Sequence, residues 1–84
     1  MVEKVDLIQN IDRLHTTEMG VERIRKNLSL GMEDVVSFCI NKIMHPQANI
    51  TRNGKNWYVD VDDMIITVNA HSYTIITAHK KKPW

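Results

Sequence analysis

Apolar positions in the first half of the chain recur every three to four residues, the period of a helix with one buried stripe. Leu7, Ile8, Ile11 and Leu14 form such a stripe on a helix predicted from Glu3 to Leu14, with Lys4, Asp6, Asn10 and Arg13 on the other faces. Thr16 and Thr17 interrupt the pattern, and either hydroxyl suits the cap of a second helix. That helix, Glu18 to Leu28, buries Val21, Ile24 and Leu28 and presents Glu22, Arg23, Arg25 and Lys26 outward. Gly20 is expected to weaken its first turn. A third helix, predicted from Met32 to about Met44, carries the widest apolar face: Met32, Val35, Val36, Cys39, Ile40 and Ile43. Pro46 ends it, because the residue before a proline avoids helical geometry.

Beyond Pro46 the period becomes two. Strands are predicted at 48–52, 55–61, 64–69 and 72–79, joined by tight turns at Asn53-Gly54, Asp62-Asp63 and Ala70-His71. Those turns would fix the register, since a hairpin loop sets which residues oppose each other. They set Ile50 opposite Trp57, Trp57 opposite Val68, Val59 opposite Ile66, Val68 opposite Tyr73 and Ile66 opposite Ile75. One face then carries Ile50, Trp57, Val59, Val61, Met64, Ile66, Val68, Tyr73 and Ile75. The other carries Asn49, Thr51, Asn56, Tyr58, Asp60, Ile65, Thr67, Thr74 and Ile76. The fold class is α+β: three N-terminal helices over one face of a four-stranded antiparallel meander. A single domain over 1–79 (helical 1–46, meander 47–79) is followed by a basic tail, 80–84.

With 84 residues the chain has one modest core and no room for a second active domain. A net charge of +1 excludes a polycation, so contact with nucleic acid must rest on local patches. Cys39 is the one cysteine, which excludes an internal disulfide and cysteine-pair zinc sites; it reads as a buried small hydrophobe. The N-terminus lacks the apolar run of a secretory signal, and no segment approaches the ~20 apolar residues of a membrane helix. The expected compartment is the cytoplasm.

The predicted register sorts the polar candidates to two ends of the sheet. Arg52, Lys55, Asn69 and His71 share one end, a cluster suited to phosphate with a histidine at hand for proton transfer. Asp62 or Asp63 lies near His79 at the other, followed by Lys80, Lys81 and Lys82. Eight residues at ~3.3 Å each separate His71 from His79 by roughly 25 Å, too far to act on one atom. Asp60, Asp62 and Asp63 alternate between faces and have no loop to wrap an ion, so no metal site and no cofactor are expected. His15 reads as an inter-helix histidine with its nitrogens satisfied. Tyr58 is the only aromatic on the open face, which argues against base stacking on several rings. Glycine-rich phosphate loops, nucleophile elbows and His-Glu-x-x-His helices are missing from the sequence.

Three segments, Leu14 to Ile24 (LHTTEMGVERI), Gly54 to Val59 (GKNWYV) and Ile65 to His79 (IITVNAHSYTIITAH), together resemble a small bacterial and phage family of unknown function. More distantly, helices followed by a meander ending in Ile-Ile-Thr-Ala-His are similar to the barnase, colicin and RelE-like ribonucleases. That likeness implies metal-independent RNA cleavage, with His79 and Thr77 on the last strand and Arg23 from the helices as candidates; the register adds Asp62 beside His79. Such ribonucleases are usually basic, and this chain is near neutral. Three readings stay open: a nucleic-acid binder using the open face (Tyr58) and its basic ends, RNA or DNA; a ribonuclease; and a non-enzymatic protein of a mobile element. The last would bind a host or phage protein, or pair with itself through an edge strand.

Overall fold

The computed structural model describes residues 3–81; Lys82, counted above among the basic candidates, lies outside them. Helix α1 (Glu3–Gln9) is followed by a 3-10 turn (Ile11–Arg13), helix α2 (Glu18–Leu28) and helix α3 (Val35–Ile43). Strands β1 (Asn49–Asn53), β2 (Asn56–Val61), β3 (Met64–Asn69) and β4 (Ile75–Lys80) then form one antiparallel sheet in sequential order. This is the expected α+β arrangement. Helix α1 lies against β1, α2 along β4, and α3 against β2 and α2.

The first helix is shorter than its apolar stripe. Asn10 turns back on Asp6, its Nδ2 donating to the Asp6 carbonyl at 2.9 Å, and the chain tightens into the 3-10 turn. Leu7 and Leu14 stay buried across this break. Thr17 caps α2, its hydroxyl accepting from the Gly20 N–H at 3.0 Å. A Cβ at Gly20 would overlap Thr16 Oγ1; the glycine lets the first turn pass close to Thr16, whose hydroxyl donates to the Ile75 carbonyl at 2.9 Å. Ser29, at φ 56°, ends α2 in the left-handed conformation. The third helix starts three residues later than its apolar pattern. Asp34 is its cap, Oδ1 accepting from Val36 and Ser37 N–H at 2.9 and 3.2 Å. Met32 is left outside, 94% exposed. A carboxylate cap satisfies two orphan donors, and that outweighs one more apolar residue.

The middle hairpin follows expectation: Asp62 and Asp63 both take positive φ (49° and 71°), with Trp57 opposite Val68 and Val59 opposite Ile66. The first hairpin turns one residue later than predicted. Gly54-Lys55 form the turn, with Gly54 at φ 62°, so Ile50 opposes Val59 and Arg52 opposes Trp57. Glycine first and an ordinary second residue suits a II′-type turn, which wins over the Asn-Gly alternative. The slip is two positions in pairing, an even number, so no side chain changes face.

The last hairpin departs further. Asn69 Oδ1 accepts from the His71 N–H, the Ser72 N–H (2.9 Å each) and the Ser72 hydroxyl (3.2 Å). This side-chain turn widens the loop to residues 70–73, and Tyr73 closes it at φ 60°. Val68 therefore opposes Ile75, not Tyr73, and Ile66 opposes Ala78, not Ile75, with a bulge between them. The extra residue, Ile76, is exposed. Beyond it Ala78 points into the core and Thr77 and His79 share the other side of the strand.

The core joins Leu7, Leu14, Ile24, Leu28, Val35, Cys39 and Ile43 from the helical half to Trp57, Val59, Val61, Ile66, Val68, Tyr73 and Ile75 from the sheet. Trp57 and Tyr73 meet with ring centroids 5.3 Å apart, and the Arg13 guanidinium caps Tyr73 at 4.6 Å. No described helix is long and apolar enough to cross a membrane.

Candidate functional site

The face of the sheet away from the core is a polar platform built in three cross-strand rows. Register sets Thr51, Tyr58, Thr67 and Thr77 side by side across its middle. Asn49, Asp60, Ile65 and His79 make the row toward the β2–β3 turn, and Asn53, Asn56 and Asn69 the row toward the other hairpins. Thr51, Tyr58 and His79 are exposed, Tyr58 to 37%. Thr67, at the centre, is buried. Among the described residues Tyr58 is the only aromatic presented here, since Trp57 and Tyr73 sit in the core. Its hydroxyl lies 3.4 Å from Asn56 Nδ2, a long contact.

The two ends differ in charge. At the β2–β3 end the acids are matched by lysines: Asp62 pairs with Lys42 of α3 at 2.6 Å, and Asp60 with Lys81 at 2.5 Å. The Lys42 hydrogen bond and charge hold the Asp62 carboxyl below its ordinary range. Lys81 also donates its backbone N–H to the Asp63 carbonyl at 2.8 Å, tying the residue after β4 to this turn. Lys80 is exposed at the end of β4. His79 is exposed, with Nδ1 3.2 Å from the neighbouring Lys80 carbonyl. Arg23 lies on the outer side of α2, where with Met19, Glu22, Lys26 and Asn27 it lines an open cavity of about 520 Å³. No hydrogen bond or ion pair among the described residues joins His79, Asp62 and Arg23.

The opposite end gathers cations. Arg52 donates Nε–H to the Gly54 carbonyl at 2.8 Å and lies over the Trp57 ring at 5.8 Å. Lys55 is exposed in the turn, and its carbonyl accepts the Ala70 N–H at 2.7 Å, locking the first hairpin to the last. His71 is exposed in the β3–β4 loop, a strand's length from His79, and Asn69 is committed to shaping that loop. The two loop segments, 52–56 and 69–74, contain no acid.

This end also holds a residue that the sequence reading placed elsewhere. His15 is exposed and belongs to the sheet rather than between helices. Its N–H donates to the Tyr73 carbonyl (3.2 Å) and its carbonyl accepts the Ile75 N–H (2.7 Å), a one-residue parallel bridge beside β4. Its Nε2 lies 3.0 Å from Thr74 Oγ1, and its Nδ1 2.9 Å from the Arg13 carbonyl. Residues 15 and 74 are 59 positions apart; no spacing signal could join them. Only the presence of a histidine beside hydroxyl residues in both segments, His-Thr-Thr and His-Ser-Tyr-Thr, hinted at shared chemistry. Among the described residues no group of three histidine, cysteine or acidic side chains is placed to hold a metal ion.

Fold and platform define a small α+β domain with one helix-covered sheet face and one that no described helix covers. The chain belongs to the DUF3781 family, described as a protein of unknown function, whose sequence profile matches residues 8–79. No curated protein and no solved structure matches it.

Proposed function

We propose that this domain binds single-stranded nucleic acid across the open face of its sheet. The observation that carries the reading is the platform itself: a polar surface that no described helix covers, with Tyr58 exposed at its centre and Lys55 and His71 exposed in the loops at one border. Four strands at ~4.8 Å spacing and about 17–20 Å long give room for a few nucleotides. Tyr58 offers a π-face for one base, and the threonine and asparagine rows offer hydrogen-bond donors and acceptors. Phosphates are drawn to Lys55 and His71, which lie in loop segments that contain no acid, and away from the β2–β3 turn, where Asp60 and Asp62 are matched by lysines. A duplex has no unstacked base to lay on Tyr58, so single strands fit better.

Fluorescence anisotropy of a labelled single-stranded 12-mer tests the reading. Binding should weaken as salt rises, with a logarithmic slope of about −2 for three phosphate contacts. Tyr58→Ala should weaken it by about tenfold, within the range for one stacked base. Binding that ignores both salt and Tyr58 would refute the proposal. The ribonuclease alternative makes a different forecast, cleavage of RNA in EDTA. Binding without catalysis accords better with a site whose candidate acid is occupied by Lys42 and whose arginine faces another side of the molecule.

A further inference from the structure

We infer that the His15–Thr74 pair distinguishes RNA from DNA on this platform by hydrogen-bonding a ribose 2′-hydroxyl; the inference rests on the nucleic-acid reading above. The pair continues the asparagine row. Asn69 opposes Asn56, the Asn69 N–H donates to the Thr74 carbonyl at 2.8 Å, and Thr74 lies between the core residues Tyr73 and Ile75, so its side chain takes the open face. His15 extends that row by its backbone bridge.

The protons can be followed through the cluster. The Arg13 carbonyl only accepts, so Nδ1 of neutral His15 carries the hydrogen and Nε2 presents its lone pair. Thr74 therefore donates to Nε2, and its oxygen is left to accept from Ser72, 2.7 Å away. Ser72 in turn has Asn69 Oδ1 at 3.2 Å as a second acceptor. Each hydroxyl thus has an alternative partner. A 2′-hydroxyl, which both donates and accepts, can enter between the two by donating to Nε2 while accepting from Thr74. A deoxyribose can do neither.

The same geometry limits the size of the effect. When no 2′-hydroxyl is present, Thr74 closes onto His15 and nothing is left unpaired. A site that orphaned a buried group would reject DNA by several orders of magnitude. Here the difference is that of one net hydrogen bond at an exposed position, about fivefold to tenfold.

Anisotropy titrations of matched 12-mers of uridine, deoxyuridine and 2′-O-methyluridine test this. The wild-type protein should bind the ribose strand about fivefold to tenfold tighter than the deoxy strand, with the 2′-O-methyl strand, which cannot donate, close to the deoxy strand. His15→Ala keeps the backbone bridge and should lower the ribose affinity to the deoxy level without changing the deoxy affinity. His15→Phe, which keeps a ring at this position but has no acceptor nitrogen, should do the same and serves if His15→Ala does not fold. Equal binding of ribose and deoxyribose strands, or a preference that survives both substitutions, would overturn the inference while leaving the platform reading intact. Binding of neither strand at low salt would overturn both.

Discussion

Trp57 and Tyr58 are neighbours in sequence on opposite faces of β2, and replacing each by alanine should have opposite consequences. Trp57 is 2% exposed and touches Tyr73 and Arg52. A buried aromatic covers roughly 150–250 Å², or ~4–6 kcal/mol at ~25 cal/mol per Å². The ring contact with Tyr73 contributes ~1 kcal/mol. Against this, the Trp57 Nε1–H is buried with no hydrogen-bond partner among the described residues, a cost of ~1–3 kcal/mol that truncation removes. The net loss for Trp57→Ala is ~3–5 kcal/mol, in the usual range for such truncations. A domain of 84 residues at ~0.05–0.15 kcal/mol per residue has roughly 4–13 kcal/mol in total. Trp57→Ala should therefore remove roughly a quarter or more of the domain's stability. Trp57→Phe keeps most of the ring and drops the orphan N–H, so it should cost ~1.5 kcal/mol or less. Tyr58→Ala loses only partial cross-strand contacts with Thr51 and Thr67, ~1 kcal/mol or less. Urea unfolding followed by far-UV circular dichroism measures all three without relying on the indole as probe. Equal losses for Trp57→Ala and Tyr58→Ala would mean that the faces are wrongly assigned. A Trp57→Phe loss as large as that of Trp57→Ala would mean the indole N–H is satisfied.

Burial raises the Cys39 thiol to about 12 from 9.0; at pH 8 the native thiolate fraction is then ~10⁻⁴, against ~0.1 unfolded, so a disulfide reagent should label the folded protein far more slowly than the denatured one. The sign of the linkage follows: the native state keeps this proton while the unfolded state loses it, so Cys39 should lower stability as pH rises from about 9 to 12, a fall that Cys39→Ala lessens in pH-dependent melts. Asp63→Gly relieves a left-handed residue at φ 71° and should stabilise by ~0.5–1 kcal/mol in urea unfolding. Gly20→Ala, favourable in an isolated helix, should destabilise by ~1–3 kcal/mol, because its methyl displaces Thr16 from the Ile75 carbonyl; an unchanged melting curve would contradict that packing.

Much of this architecture was legible because two periodicities were clean and the Asp62-Asp63 turn was of the expected kind. The slip at Gly54-Lys55 left every face assignment intact, since an even shift preserves the pleat. Where legibility failed, side chains were competing for backbone groups. Asp34 caps the third helix two residues beyond the Met32 start that the apolar stripe implied, and Asn69 opened a longer loop than the hairpin pattern implied. The resulting bulge reset the last strand, so that Ala78 entered the core and His79 took the platform side. The separation of His71 from His79 survives this change. The His15–Thr74 contact was beyond reach for a different reason: it is a tertiary pairing across most of the chain, with no local signature.

The central claim is that nucleic acid lies on the uncovered sheet face, and amide chemical-shift mapping of the labelled protein with a single-stranded 12-mer tests it most directly. The account predicts shifts concentrated at Thr51, Lys55, Tyr58, Thr67, His71 and Thr77, with the outer side of α2 around Arg23 unaffected. Shifts confined to α2 and its cavity, or no shifts at low salt, would contradict it.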